Sequence, residues 1–72
     1  MYNVDLAMGN GIDMIVTRVE HILFHSRWAA RQYARKVIEC IDVYHVTIID
    51  NETGEIVLEL NNDGSVEWDT EG

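Results

Sequence analysis

Between Ser26 and Ile41, SRWAARQYARKVIECI, apolar residues recur with helical period, whereas most of the chain on either side alternates with a period of two. A single helix among strands can cover one face of one sheet, so the chain is confined to a two-layer arrangement. Wound at about 100° per residue, the stretch puts Ala29, Ala30, Tyr33, Ala34, Val37, Cys40 and Ile41 on one arc, with Ile38 at its margin. That arc is the expected core face. Arg31, Gln32, Arg35, Lys36, Glu39 and Asp42 fall opposite, and Trp28 falls among them. Ser26 is the expected N-cap, its hydroxyl accepting from a free amide of the first turn. No Gly or Pro marks the end, which is inferred from the β-branched residues that resume at Val43.

Ahead of the helix, Tyr2, Val4, Leu6 and Met8 alternate with Asn3, Asp5 and Ala7, a half-buried strand. Gly9-Asn10-Gly11 offers the positive-φ residues of a tight hairpin, which predicts a second strand over about Ile12 to Ile22 pairing back on the first. Its alternation is poor: Met14, Val16 and Ile22 share a side with Arg18 and Glu20, while Ile15, Val19 and Leu23 take the other. A bulge or burial of both sides would account for that. Thr17-Arg18-Val19-Glu20 also matches a capping box, so one long helix from Arg18 to Ile41 competes with this strand. The strand is preferred because MIVT is rich in β-branched residues and Tyr2 to Met8 needs a partner.

After the helix, Tyr44, Val46 and Ile48 alternate with His45, Thr47 and Ile49 up to the turn Asp50-Asn51-Glu52-Thr53-Gly54. Ile56, Leu58 and Leu60 then alternate with Glu55, Val57 and Glu59. Asn61-Asn62-Asp63-Gly64 reads as a type I turn with a bulge, leading to Val66 and Trp68 alternating with Ser65, Glu67 and Asp69. The order ββαβββ predicts an α+β fold over residues 1–72 as one domain: a two-layer structure with an antiparallel sheet and one helix packed on one face. Tyr2, Val4, Leu6, Tyr44, Val46, Ile48, Ile56, Leu58, Leu60 and Val66 are expected to meet the helix. If Tyr2 to Met8 lies at the sheet edge, its single charge leaves it free to pair with its copy in a homodimer.

At 72 residues, 47% hydrophobic and 25% charged with no proline, the chain has the composition of a compact domain rather than a disordered one. A domain this small buries only about 60% of its surface. One cysteine rules out an internal disulfide framework, which suits a reducing compartment. No apolar run approaches the ~20 residues of a membrane span, and MYNVDLAM lacks the basic head and apolar heart of a signal peptide. The expectation is a soluble, cytoplasmic chain with no membrane partner.

Charge is unevenly spread within the net of −8: all five bases lie at or before Lys36, and ten of the thirteen acids follow it. The second half should therefore repel free nucleic acid. Arg27, Arg31, Arg35 and Lys36 also crowd the early turns of the helix, against a macrodipole preference of about 0.3 to 1 kcal/mol for each charge. A rule broken locally is usually compensated by a tertiary contact or a functional surface.

Glu20, His21, His25, Cys40 and His45 supply the atoms zinc prefers, yet no CxxC or HExxH spacing organises them. Asp50-Asn51-Glu52 lacks the twelve-residue calcium loop. No metal and no cofactor is expected. Cys40 lies on the apolar arc, where a small thiol is inert, and a domain this size offers little room for an enclosed catalytic pocket. A non-enzymatic protein is expected.

Two surfaces remain. Arg27, Trp28, Arg31 and Arg35 combine guanidinium and indole, favoured anchors of protein interfaces that can also grip phosphate and stack on bases. The alternative is that these arginines pair with the acidic rim of the sheet. Glu55, Glu59, Glu67 and Asp69 form the second surface. Carboxylates at every second strand residue recur at roughly 7 Å, near the phosphate spacing of a DNA strand. In size and charge, though in no motif, the chain is similar to the small acidic phage inhibitors of restriction or CRISPR nucleases, which implies a nucleic-acid-handling enzyme as partner. The leading expectation is an accessory or inhibitory protein that docks on a protein partner. A nucleic-acid-binding helix and a self-assembling structural subunit are the alternatives.

Overall fold

The computed structural model describes residues 1–71. Five strands and one helix follow in the order β1 (Tyr2–Met8), β2 (Arg18–Phe24), α1 (Arg27–Val37), β3 (Val43–Asp50), β4 (Ile56–Asn61) and β5 (Val66–Asp69). Every neighbouring pair is antiparallel, and the strand order across the sheet is β2-β1-β3-β4-β5. The α+β two-layer reading holds. No helix among the described residues is long and apolar enough to cross a membrane.

The core lies between α1 and one face of the sheet. Val4 and Leu6 of β1 stand opposite Ile48 and Val46 of β3, which in turn face Leu58 and Leu60 of β4. Ala30 and Ala34 bring the helix backbone close to this layer, and Ile38 and Val43 seal its end. Phe24 and Tyr33 close the side near β2, with ring centroids 5.2 Å apart. Ser26 caps α1 as expected, accepting from the Ala29 amide at 3.2 Å.

The helix is shorter than its apolar arc. It ends at Val37, and the Glu39 and Cys40 amides donate to the Lys36 and Val37 carbonyls in tight i→i−3 bonds. Val43 must stand beside Met8 to begin β3, which leaves Ile38 to Asp42 only enough length to reverse direction. Cys40 and Ile41, expected in the core, are therefore exposed.

The second strand begins six residues later than the spacing predicts, and no long helix from Arg18 forms. Gly9 to Thr17 is a loop, closed by the Thr17 amide on the Met8 carbonyl at 2.8 Å. Asn10 and Asp13 hold it through side-chain bonds to the Ile12 and Ile15 amides. Tyr44 anchors it as well, its hydroxyl accepting from the Gly11 amide at 2.7 Å. Gly9 has no space for a side chain, since a Cβ there would stand 2.5 Å from the Tyr44 ring. Tyr44 is thus buried beneath a loop rather than in the core cluster.

Register shifts change which residues point inward. The shift at Ala7/Met8 brings Val43 inward, and the one at Ile48/Ile49 pairs Ile49 with Ile56 and leaves Val57 as the extra residue. Val57 is consequently buried while Ile56 is turned outward, the reverse of the simple alternation. A third shift, at Glu59/Leu60, pairs Asp69 with Leu58 and Trp68 with Glu59. Asp69 belongs to the helix side, Trp68 to the outer face, and Val66 is half exposed instead of buried. β1 is also an inner strand, so its expected edge pairing with a copy is excluded.

The shift at Ile48/Ile49 can be tested by truncation. At roughly 0.8 kcal/mol per buried methyl-sized group plus a cavity contribution, Val57→Ala should cost about 2 kcal/mol in urea unfolding. Ile56→Ala, although it removes more atoms, should cost less than about 1 kcal/mol.

Candidate interaction site on the open sheet face

α1 covers one face of the sheet and leaves the other without a layer. On the open face stand Val19 and Leu23 of β2, Ile49 of β3, Ile56 and Glu59 of β4, and Trp68 of β5. Val19 and Leu23 are 52% and 56% exposed. Two imidazole–carboxylate pairs lie among them: His21 Nδ1 to Asp5 Oδ1 at 2.6 Å and His45 Nε2 to Glu59 Oε2 at 3.0 Å. Asn3 hydrogen-bonds the same Asp5 oxygen.

At the β4–β5 end of this face is an open groove of about 810 Å³, lined by Gly54, Glu55, Ile56, Glu59, Glu67, Trp68 and Thr70. Its geometry follows from the third register shift, which turns the Trp68 indole outward beside Glu59. The indole is held there by Nε1 donating to the Ile56 carbonyl at 3.1 Å. Thr70 donates to the Val57 carbonyl at 3.0 Å and ties down the end of the strand. Glu67 accepts from Asn61 at 3.1 Å. Three carboxylates and the indole thus line one groove, and among the described residues no base lines it. Such a surface suits a guanidinium or ammonium group, which gains from both the charge and the face of the ring.

The other expected surface is occupied from within. Arg31 makes a bidentate pair with Asp69, both bonds at 2.9 Å, and also reaches Glu71 at 3.3 Å. Arg35 stands 3.6 Å from Asp69. Arg27 lies 3.8 Å from Asp50, 4.0 Å from Glu71 and over the Tyr2 ring. Acids of β3, β5 and the segment after it thus face Arg27, Arg31 and Arg35, and because α1 ends at Val37, Arg35 and Lys36 fall in its last turn, where the macrodipole favours bases, so the inverted charge order expected from the sequence is largely absent. Arg31 and Asp69 side chains are 14% and 13% exposed, so their pair is the substantial one. The outer contacts of Arg27 and Arg35 are each worth about 0 to 1 kcal/mol. Trp28 remains 71% exposed, on the wet side of α1 as its position predicts.

Of the eight residues singled out in the sequence, Glu55, Glu59 and Glu67 come together. Asp69 leaves that face to join Arg27, Arg31 and Arg35 on the opposite side, and Trp28 stands apart. Trp68 was not among them, because simple alternation turns it inward with Val66. Its setting as Glu67-Trp68-Asp69 on a final, short strand was the available signal, since one helix cannot shield a fifth strand. Among the described residues no three of His, Cys, Asp and Glu gather as a metal site. The exposed Cys40 lines a second hollow of about 550 Å³ between the helix end and the β4–β5 turn.

No protein-family model matches the chain, and comparison with curated proteins and with solved structures returns no match.

The hydrogen bonds from Arg31, reinforced by the Glu71 amide and the nearby guanidinium charges, hold the Asp69 carboxyl at about 2. An unfolded aspartate titrates near 3.9. The native state is thus favoured by this group fully above about pH 5, and the contribution disappears as pH falls toward 2. Asp69→Asn should lower stability at pH 7, and its difference from the unsubstituted protein should shrink below about pH 4 in urea titrations. Arg31→Ala should cost about 1 to 3 kcal/mol at pH 7, because it leaves a mostly buried carboxylate without its partner.

Proposed function

We propose that the protein is a non-catalytic interaction module that docks on a basic segment of a protein partner through the groove formed by Glu55, Glu59, Glu67 and Trp68. The observation that carries this reading is that three carboxylates and an outward-turned indole line one groove, on a sheet face that no described residue covers. The partner's side is a segment rich in arginine or lysine. Proteins that handle nucleic acid display such segments in their binding channels, and an acidic module seated there would act as an accessory or inhibitor.

The arrangement favours a grip on one cationic segment over imitation of a phosphate row. The carboxylates are grouped around a ring instead of strung along a strand, and Asp69, which would have extended the row, faces the helix. Phosphate binding by α1 gains little support, because Arg27, Arg31 and Arg35 already face acids of the same chain.

A nona-arginine peptide titrated into the W28F variant, which leaves Trp68 as the only indole, tests the reading. Trp68 emission should change with saturation in the micromolar range at low salt, weaken as salt rises, and be lost in an E59K/E67K variant. A tetraglycine-spaced neutral peptide should give no change. Equal responses to both peptides, or an unaltered response in E59K/E67K, would count against the groove.

A further inference from the structure

We infer that His45 regulates the groove: on taking up a proton its ring becomes the ion-pair partner of Glu59 and competes with the basic segment, so that docking holds at neutral pH and weakens in mild acid. This deepens the groove reading and rests on it. His45 Nε2 lies 3.0 Å from Glu59 Oε2. Glu59 is the groove carboxylate that belongs to an inner strand, since Glu55 precedes β4 and Glu67 stands on the edge strand β5. The contact runs diagonally across the β3–β4 ladder, where His45 is opposite Asn61 and Glu59 is opposite Thr47. At 35% and 23% exposure the two side chains are partly withdrawn from water, and salt screens such a pair less than one between fully exposed charges.

An ionised carboxylate offers only acceptors, so Nε2 carries the hydrogen in this contact whether the ring is neutral or charged. Histidine is the side chain whose charge ordinarily changes between pH 5 and 8. The neutral ring leaves Glu59 its full negative charge and keeps the groove at three carboxylates. The protonated ring holds the same bond and cancels that charge from within the chain. An incoming guanidinium then meets an anion that is already paired. Proton and guest compete for one carboxylate, and linkage makes the competition mutual.

Among the described residues, the carboxylate that meets His45 is Glu59. From β1, Ala7 stands opposite His45, and Asp5 stands opposite Thr47. Asp5 is engaged by His21 of β2 at 2.6 Å. From β4, Asn61 faces His45 and donates to Glu67 of β5 at 3.1 Å. The helix packs on the other face, where Arg27, Arg31 and Arg35 meet Asp50, Asp69 and Glu71. His21 changes charge over the same pH range but sits three strands from Glu59, which makes it the internal control.

Titration of W28F with nona-arginine at pH 7.0 and at pH 5.5, at one low ionic strength, tests the inference through Trp68 emission. Arginine keeps its charge throughout this interval. The dissociation constant should be about fivefold higher at pH 5.5, the loss of one partly exposed ion pair. W28F/H45Q, whose side-chain amide can donate the same hydrogen bond without titrating, should bind equally well at both pH values. W28F/H21Q should keep the pH dependence. Equal binding by W28F at both pH values, a dependence that survives H45Q or is lost in H21Q, or loss of the folded circular dichroism spectrum at pH 5.5 would each overturn the inference and leave the groove reading standing. Absence of binding at pH 7.0 would remove both.

Discussion

One helix of eleven residues has to shield a sheet of five strands, and it can do so on one side only. Everything else in the structure follows from that limit. The shielded side receives the aliphatic residues of β1, β3 and β4 with Ala30 and Ala34 pressed against them. The other side keeps isolated apolar groups, imidazole–carboxylate pairs and an indole among carboxylates. In a domain of this size the covered layer supplies most of the stability, and the uncovered one is available for contact with other molecules.

The Arg31–Asp69 pair completes the covered side. β5 lies at the margin of the sheet, where the helix offers no apolar cover, and Asp69 gives the strand a charged anchor to α1 in its place. The same pair takes Arg31 out of the outer surface, while Arg27 and Arg35 stay exposed beside acids of the same chain. Of the bases of α1 only Arg27 lies in the first turn, against the macrodipole, while Arg35 and Lys36 stand in the last turn as it prefers, and the outward carboxylates of β4 and β5 are left without arginine partners. That division of charge is why the groove, and not the helix, is the surface assigned to a partner.

Much of this was legible in the residues. β1 lies where alternation places it, Ser26 caps the helix, and Gly64 closes the second hairpin with φ +85°. Three register shifts were not legible, because alternation locates a strand without revealing an extra residue within it. Ile56 and Val57 are both apolar, so nothing in their identity shows which one turns inward. The shift at Glu59/Leu60 exchanges the faces of Trp68 and Asp69, and with them one member of the acidic surface. Helix length was hidden for a related reason. Ile38, Cys40 and Ile41 continue the helical period, yet the position of Val43 beside Met8 is fixed by pairing with a strand thirty-five residues earlier. Ile12 to Val16 has strand composition but forms a loop, held by polar bonds from Asn10, Asp13 and Tyr44.

The proposed docking surface is the uncovered sheet face, and not the arginine-bearing helix. Chemical-shift mapping of the isotope-labelled chain during titration with an arginine-rich segment tests it most directly. The account predicts the largest changes at the Trp68 indole N–H and at the amides of Ile56, Glu59 and Glu67, with α1 nearly unmoved. Changes centred on Trp28 and the amides of α1, with Trp68 unaffected, would contradict it.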